Sequence, residues 1–104
     1  MALTKAFRET ILERAQRDPK YRKALLTEAM NAFLSGDLEV SKIMLRDYIN
    51  ASLAFGILAR KLHKNDKSLQ RMLGPHGNPT TRNFCDLLKA VQKMEGVRFE
   101  ARVH

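Results

Sequence analysis

The stretch LARKLHKNDKSLQRMLGPHGNPTT, residues 58–81, decides the reading of this chain. It places a run of helical periodicity, a polar break, a second helical run and a loop rich in glycine and proline in immediate succession. Apolar residues three and four apart predict one helix over residues 54–62 and another over 66–73. Gly74-Pro75 and Gly77-Asn78-Pro79 then forbid continuation, since proline removes a backbone donor and clashes with the preceding turn.

Two helices joined so tightly need a small residue where they touch. They also need a turn that accepts a left-handed backbone, and apolar anchors beneath the second helix. Ala59 is the small residue; Leu58 and Leu62 face inward from the first helix, and Leu69, Met72 and Leu73 from the second. Asn65 is a natural N-cap, because its side-chain oxygen can accept from an amide of the first turn. Left outside are Asp66, Lys67, Ser68, Gln70 and Arg71. These are donor and acceptor groups suited to base edges: Arg or Lys to guanine, Gln to adenine, Ser to several acceptors. Past the loop, Asn78, Thr80, Thr81 and Arg82 stand where a loop meets a helix N-terminus, a natural place for a phosphate. Turn and capping chemistry is an equally good reading of those four and does not exclude the first.

Charge points the same way. The chain of 104 residues carries a net charge of +8, and residues 53–75 hold half of it, with five basic residues against one acidic. Such a balance suits a polyanion, although solubility alone also accounts for it. The N-terminal cluster Arg14, Arg17, Lys20, Arg22 and Lys23 is interleaved with Glu9, Glu13 and Asp18, and reads as a solvated helix face.

Outward from this segment, residues 3–17 carry a helical stripe of Leu3, Phe7, Ile11 and Ala15. Asp18-Pro19 opens a helix to about residue 34, with Tyr21, Leu25, Ala29 and Phe33 along one side and Leu26, Met30 and Leu34 beside them. Gly36-Asp37 supplies a C-terminal glycine and the next N-cap, so a third helix runs to about residue 51. Thr80 or Thr81 caps a last helix bearing Phe84, Leu87, Leu88, Val91 and Met94. After Gly96 the period changes to two, with Val97, Phe99, Ala101 and Val103 alternating with charged residues, which is a strand pattern. The fold class is therefore all-α: a single domain of five to six helices, with a helical extension (1–37), a helix-turn-helix core (38–95) and a short C-terminal β-strand (96–104).

Other chemistry finds little support. One cysteine excludes an internal disulfide and fits a reducing compartment; with no leader-like or membrane-length apolar run, the sequence reads as cytoplasmic. His63, His76, His104 and Cys85 lack paired ligand spacing, so neither a metal nor a cofactor is expected. Cys85 flanks the core stripe of the last helix and reads as a buried or half-buried small residue. No nucleophile constellation, carboxylate pair or phosphate loop is recognisable, so an enzyme is not expected.

LARKL followed by NDKSLQRML and then GNPT, with LLKAV downstream and SGD upstream, resembles the Xre/phage-repressor-like helix-turn-helix family. Within it, the chain is most similar to the probable addiction module antidote group. The resemblance spans roughly residues 19–96 and rests on Ser68, Leu69, Arg71, Leu73, Gly77, Asn78 and Pro79. It implies a lambda-repressor-like core, a sequence-specific regulator of double-stranded DNA and a RelE-like toxin as protein partner, the pair repressing its own operon. In that reading Lys67, Ser68, Gln70 and Arg71 read bases while Asn78, Thr81 and Arg82 hold the backbone. Three positions depart from the family's pattern: His63 stands at the usual turn glycine, Lys64 at an apolar position, and Asp66 opens the recognition helix.

A lone strand exposes its ladder groups, so residues 97–103 are expected to pair with a second copy about a two-fold axis, setting the recognition helices ~34 Å apart; the competing outcome is a tail that packs back as an irregular segment or adds to the sheet edge of a partner. Two alternatives stand beside the regulator. One is a toxin-neutralising interaction module with little DNA affinity. The other is RNA binding, for which Tyr48 and Phe55 are the available stacking residues near the basic segment.

Overall fold

A computed structural model describes residues 13, 16–52 and 54–104. The expected first helix over 3–17 lies outside the described residues, apart from Glu13, Gln16 and Arg17. Five helices follow in order: α1 (Pro19–Leu34), α2 (Leu38–Ala51), α3 (Phe55–Lys61), α4 (Asp66–Met72) and α5 (Thr81–Glu95). Among the described residues all regular structure is helical.

The helix ends form where the sequence places its caps. The Asp18 carboxylate accepts from the amides of Lys20 and Tyr21. Asp37 accepts from Val40, Asn65 from Ser68 at 2.7 Å, and Thr80, rather than Thr81, from Asn83. Between α1 and α2, Gly36 sits at φ 91°. There the Gly36 amide donates to Phe33 and the Asp37 amide to Ala32, closing α1 while the chain reverses.

α1 and α2 form a helical hairpin with the most extensive contact between any two of the described helices. Leu26 and Ala29 from α1 meet Leu45, Tyr48 and Ile49 from α2 in one core, which Leu58, Leu69, Leu87 and Val91 complete. Truncating one of these buried leucines to alanine costs about 2–5 kcal/mol. Phe33 and Leu34, placed on the apolar side of α1 by their spacing, lie near its end and are 38% and 61% exposed; Phe33 instead stacks on Phe84 at 4.8 Å. Cys85, expected to be at least half-buried, is exposed, because it lies a third of a turn from Phe84 toward solvent.

The C-terminal strand is not formed. A ladder needs a second strand, and the described residues supply none. Val97 and Phe99 instead pack against the core, and the Phe99 amide donates to Gln92 Oε1 at 2.9 Å. Ala101 and Val103 keep their apolar side chains in water, Val103 at 97% exposure.

Candidate nucleic-acid interface

The opening segment folds as α3, a turn and α4. Leu58, Ala59, Leu69 and Leu73 are buried, with Leu62 and Met72 packed beside them, which is the inward set that the spacing predicts. The turn passes through His63 at φ 55°, the left-handed value usually left to glycine. Its amide donates to Arg60, and the Lys64 amide donates to Ala59 at 2.8 Å, so two carbonyls at the end of α3 gain partners. Histidine therefore performs the glycine's role at the steric cost of its Cβ.

Anchored from below by Leu69, α4 presents Lys67, Gln70 and Arg71 to solvent, with Ser68 half-buried. Lys67, Gln70 and Arg71 line one cleft of ≈ 350 Å³ together with Arg46 from α2. Ser68 and Arg71 line a second, of ≈ 520 Å³, with Lys64, Asn78 and Thr80. Arg71 belongs to both. Thr81 and Arg82 are exposed on the first turn of α5 but line neither cleft. No ion pair among the described residues holds Arg46, Lys67, Arg71 or Arg82, so these four charges are available to an anion. Asp66 turns away from that role. Its Oδ2 lies 3.9 Å from where a Cβ on Gly56 would stand, against the first turn of α3, where a helix dipole favours a carboxylate.

The loop between α4 and α5 is fixed from two sides. A Cβ at Gly77 would lie 2.1 Å from the Arg71 carbonyl oxygen and 2.4 Å from that of Met72, so only glycine fits against the end of α4. From the other side, the Lys42 ammonium donates to the carbonyls of Gly74 at 3.1 Å and Gly77 at 2.7 Å. It also pairs with Glu39 at 3.0 Å. Lys42 is a residue that the sequence reading missed. The signal was its place at the second position of an otherwise apolar α2 stripe of Leu38, Leu45 and Ile49. Arg46, one turn beyond Lys42, was missed with it.

Remote from both clefts, Glu95 at the end of α5 accepts from Arg22 Nε at 2.9 Å and from the Tyr48 hydroxyl at 3.0 Å. Arg22 is thus tied into the fold rather than free on a solvated face, with 18% of its side chain exposed. The bond to Glu95 raises its pKa further above the ordinary value, against the opposing effect of burial. Burial, and then the Glu95 charge, raise the Tyr48 phenol well above its ordinary value. Tyr48 and Phe55 are both buried, so neither is offered for stacking on bases.

Among the described residues no helix is long and apolar enough to cross a membrane. No protein-family model, curated protein or solved structure matches the chain.

Proposed function

We propose that α3 and α4 act as a helix-turn-helix and that the chain is a sequence-specific, DNA-binding transcriptional regulator of the Xre type. One observation carries this reading: α4 is held from beneath by Leu69 and offers Lys67, Gln70 and Arg71 outward, flanked by Arg46 and by the Asn78 loop. In the major groove, Lys67, Ser68, Gln70 and Arg71 face base edges. Asn78, Thr81 and Arg82, with Arg46 on the other flank, contact phosphates that set the register.

Selection of duplexes from a randomised pool tests the proposal. The expected result is enrichment of one short motif, bound more weakly as salt rises. No enrichment at low salt, with the chain alone and with any adjacent toxin present, overturns it.

The toxin partner and the self-repressed operon rest on the resemblance alone. Co-purification with the product of an adjacent reading frame checks them. A dimer is part of the same proposal, and sedimentation decides it. Since Val97 and Phe99 already serve the chain's own core, a chain ending at Gly96 is expected to lose stability whether or not the tail joins two copies.

A further inference from the structure

Lysine is among the residues least often fully buried, and burying its charge without partners is strongly unfavourable. Lys42 is nevertheless 1% exposed, at a helix position whose neighbours along the stripe are leucine and isoleucine. Its three ammonium protons meet three acceptors: the Gly74 and Gly77 carbonyls and the Glu39 carboxylate. Glu39 is 64% exposed and balances the charge from the solvent side. The two carbonyls belong to a loop whose backbone bonds are short-range: the Gly74 amide donates to Arg71 at 3.1 Å and the Gly77 amide to Gly74 at 3.0 Å. A leucine or methionine would fill the same space, but it would take the Lys42 donor from the Gly77 carbonyl and leave the Gly74 carbonyl with the Gly77 amide alone.

We propose that Lys42 is a positioning residue for nucleic-acid recognition. Its buried ammonium latches the loop from Gly74 to Gly77, and so fixes Asn78 relative to Arg71 across the cleft they share. The inference rests on the DNA-binding reading and adds to it a residue that never touches DNA. The latch reaches the interface by a short path. Gly77 precedes Asn78 directly, and its α-carbon packs on the carbonyl oxygens of Arg71 and Met72, so one ammonium holds the loop and the end of α4 in one arrangement. A single fixed arrangement matters because base and phosphate contacts tolerate little misplacement.

The test compares wild type with Lys42→Met, which keeps length and bulk and removes the donors. Amide exchange reads the latch without DNA. At a temperature where both proteins are folded, the Gly77 amide of the variant is expected to exchange at least about tenfold faster, while the Gly96 amide, bonded to Gln92 in α5, is unchanged. Affinity for the duplex selected by wild type is expected to fall about tenfold. Asn78→Ala, which weakens wild-type binding, should add nothing in the Lys42→Met background. Unchanged Gly77 exchange overturns the latch. Faster exchange with full affinity, or with an undiminished effect of Asn78→Ala, shows a structural lysine only and overturns the positioning role. If wild type selects no duplex, the DNA reading and the positioning role fall together, and the exchange result still decides whether the latch exists. Should Lys42→Met not fold, Lys42→Gln keeps an amide donor on a shorter reach. An intermediate acceleration at Gly77 is then expected, and no acceleration contradicts the latch.

Discussion

Two polar clamps hold α2, one near each end, and they differ in what they grip. Lys42 binds backbone carbonyls of the loop beside the basic clefts, whereas Tyr48 binds the Glu95 side chain, far from those clefts, where Arg22 converges on the same carboxylate. The first clamp sets the shape of a surface. The second joins α1, α2 and α5. Damage to the first should therefore appear in DNA binding as well as stability, and damage to the second in stability alone.

The largest effect is expected at Gly77, on the loop side of the first clamp. Gly77→Ala forces a methyl group into two carbonyl oxygens of α4 and should destabilise the chain by about 3 kcal/mol or more, read as a fall in the denaturant midpoint. A loss below about 1 kcal/mol would show that the loop yields, and that the first clamp is soft.

Next comes Glu95→Gln, which leaves the Arg22 guanidinium and the Tyr48 hydroxyl with a weaker, neutral partner. With both side chains largely buried, a loss of about 2 kcal/mol is expected, with DNA affinity unchanged at temperatures where the variant is folded. A folded Glu95→Gln protein with weakened DNA binding breaks the distinction between the clamps.

Tyr48 makes the second clamp sensitive to pH. Its folded pKa lies above the ordinary phenol value of 10.0, so the native state holds the proton more tightly than the unfolded chain does. The stability this contributes is complete below pH 10.0 and is lost as pH rises from there toward the folded pKa. Denaturation of wild type and Tyr48→Phe from about pH 9 to about pH 11 should show a steeper decline for wild type, by about 1 kcal/mol at the upper end. Parallel curves would place the phenol in ordinary solvent.

The smallest effect lies next to the first clamp. The Ser41 hydroxyl is buried in α2 with no partner among the described residues, and Ser41→Ala should raise stability by about 0.5–1 kcal/mol without touching DNA binding. A loss on this change would reveal a bond the hydroxyl makes after all.

The parts of this architecture that depend on local rules were readable in the sequence. Asp18, Asp37, Asn65 and Gly36 work within a few residues of themselves, so caps and helix boundaries followed from spacing. A left-handed turn between the two helices was expected on the same grounds, and the family resemblance pointed to His63 as its position. Both clamps were not, because Lys42 meets its two loop carbonyls 32 and 35 residues away, and Arg22 meets Glu95 at a separation of 73. A charged residue on an apolar stripe announces only that some partner exists. The strand pattern after Gly96 misled because alternation records which side chains want burial, and Val97 and Phe99 obtain it by folding back on the helices. Within the candidate interface, exposure of Lys67, Gln70 and Arg71 was legible from the α4 period, whereas Arg46 joins them only through the packing of α2 beside α4.

In the proposed function α4 reads bases while the surrounding cations hold the backbone. The most direct measurement is the affinity of wild type, Arg71→Ala and Arg82→Ala for the selected duplex and its single-base variants, each over a range of salt. Arg71→Ala should cost ~1–3 kcal/mol on the selected sequence and relax preference at one base pair, while Arg82→Ala should weaken every duplex alike and lower the salt slope by about one. Equal, small losses for both variants on every duplex would contradict the account.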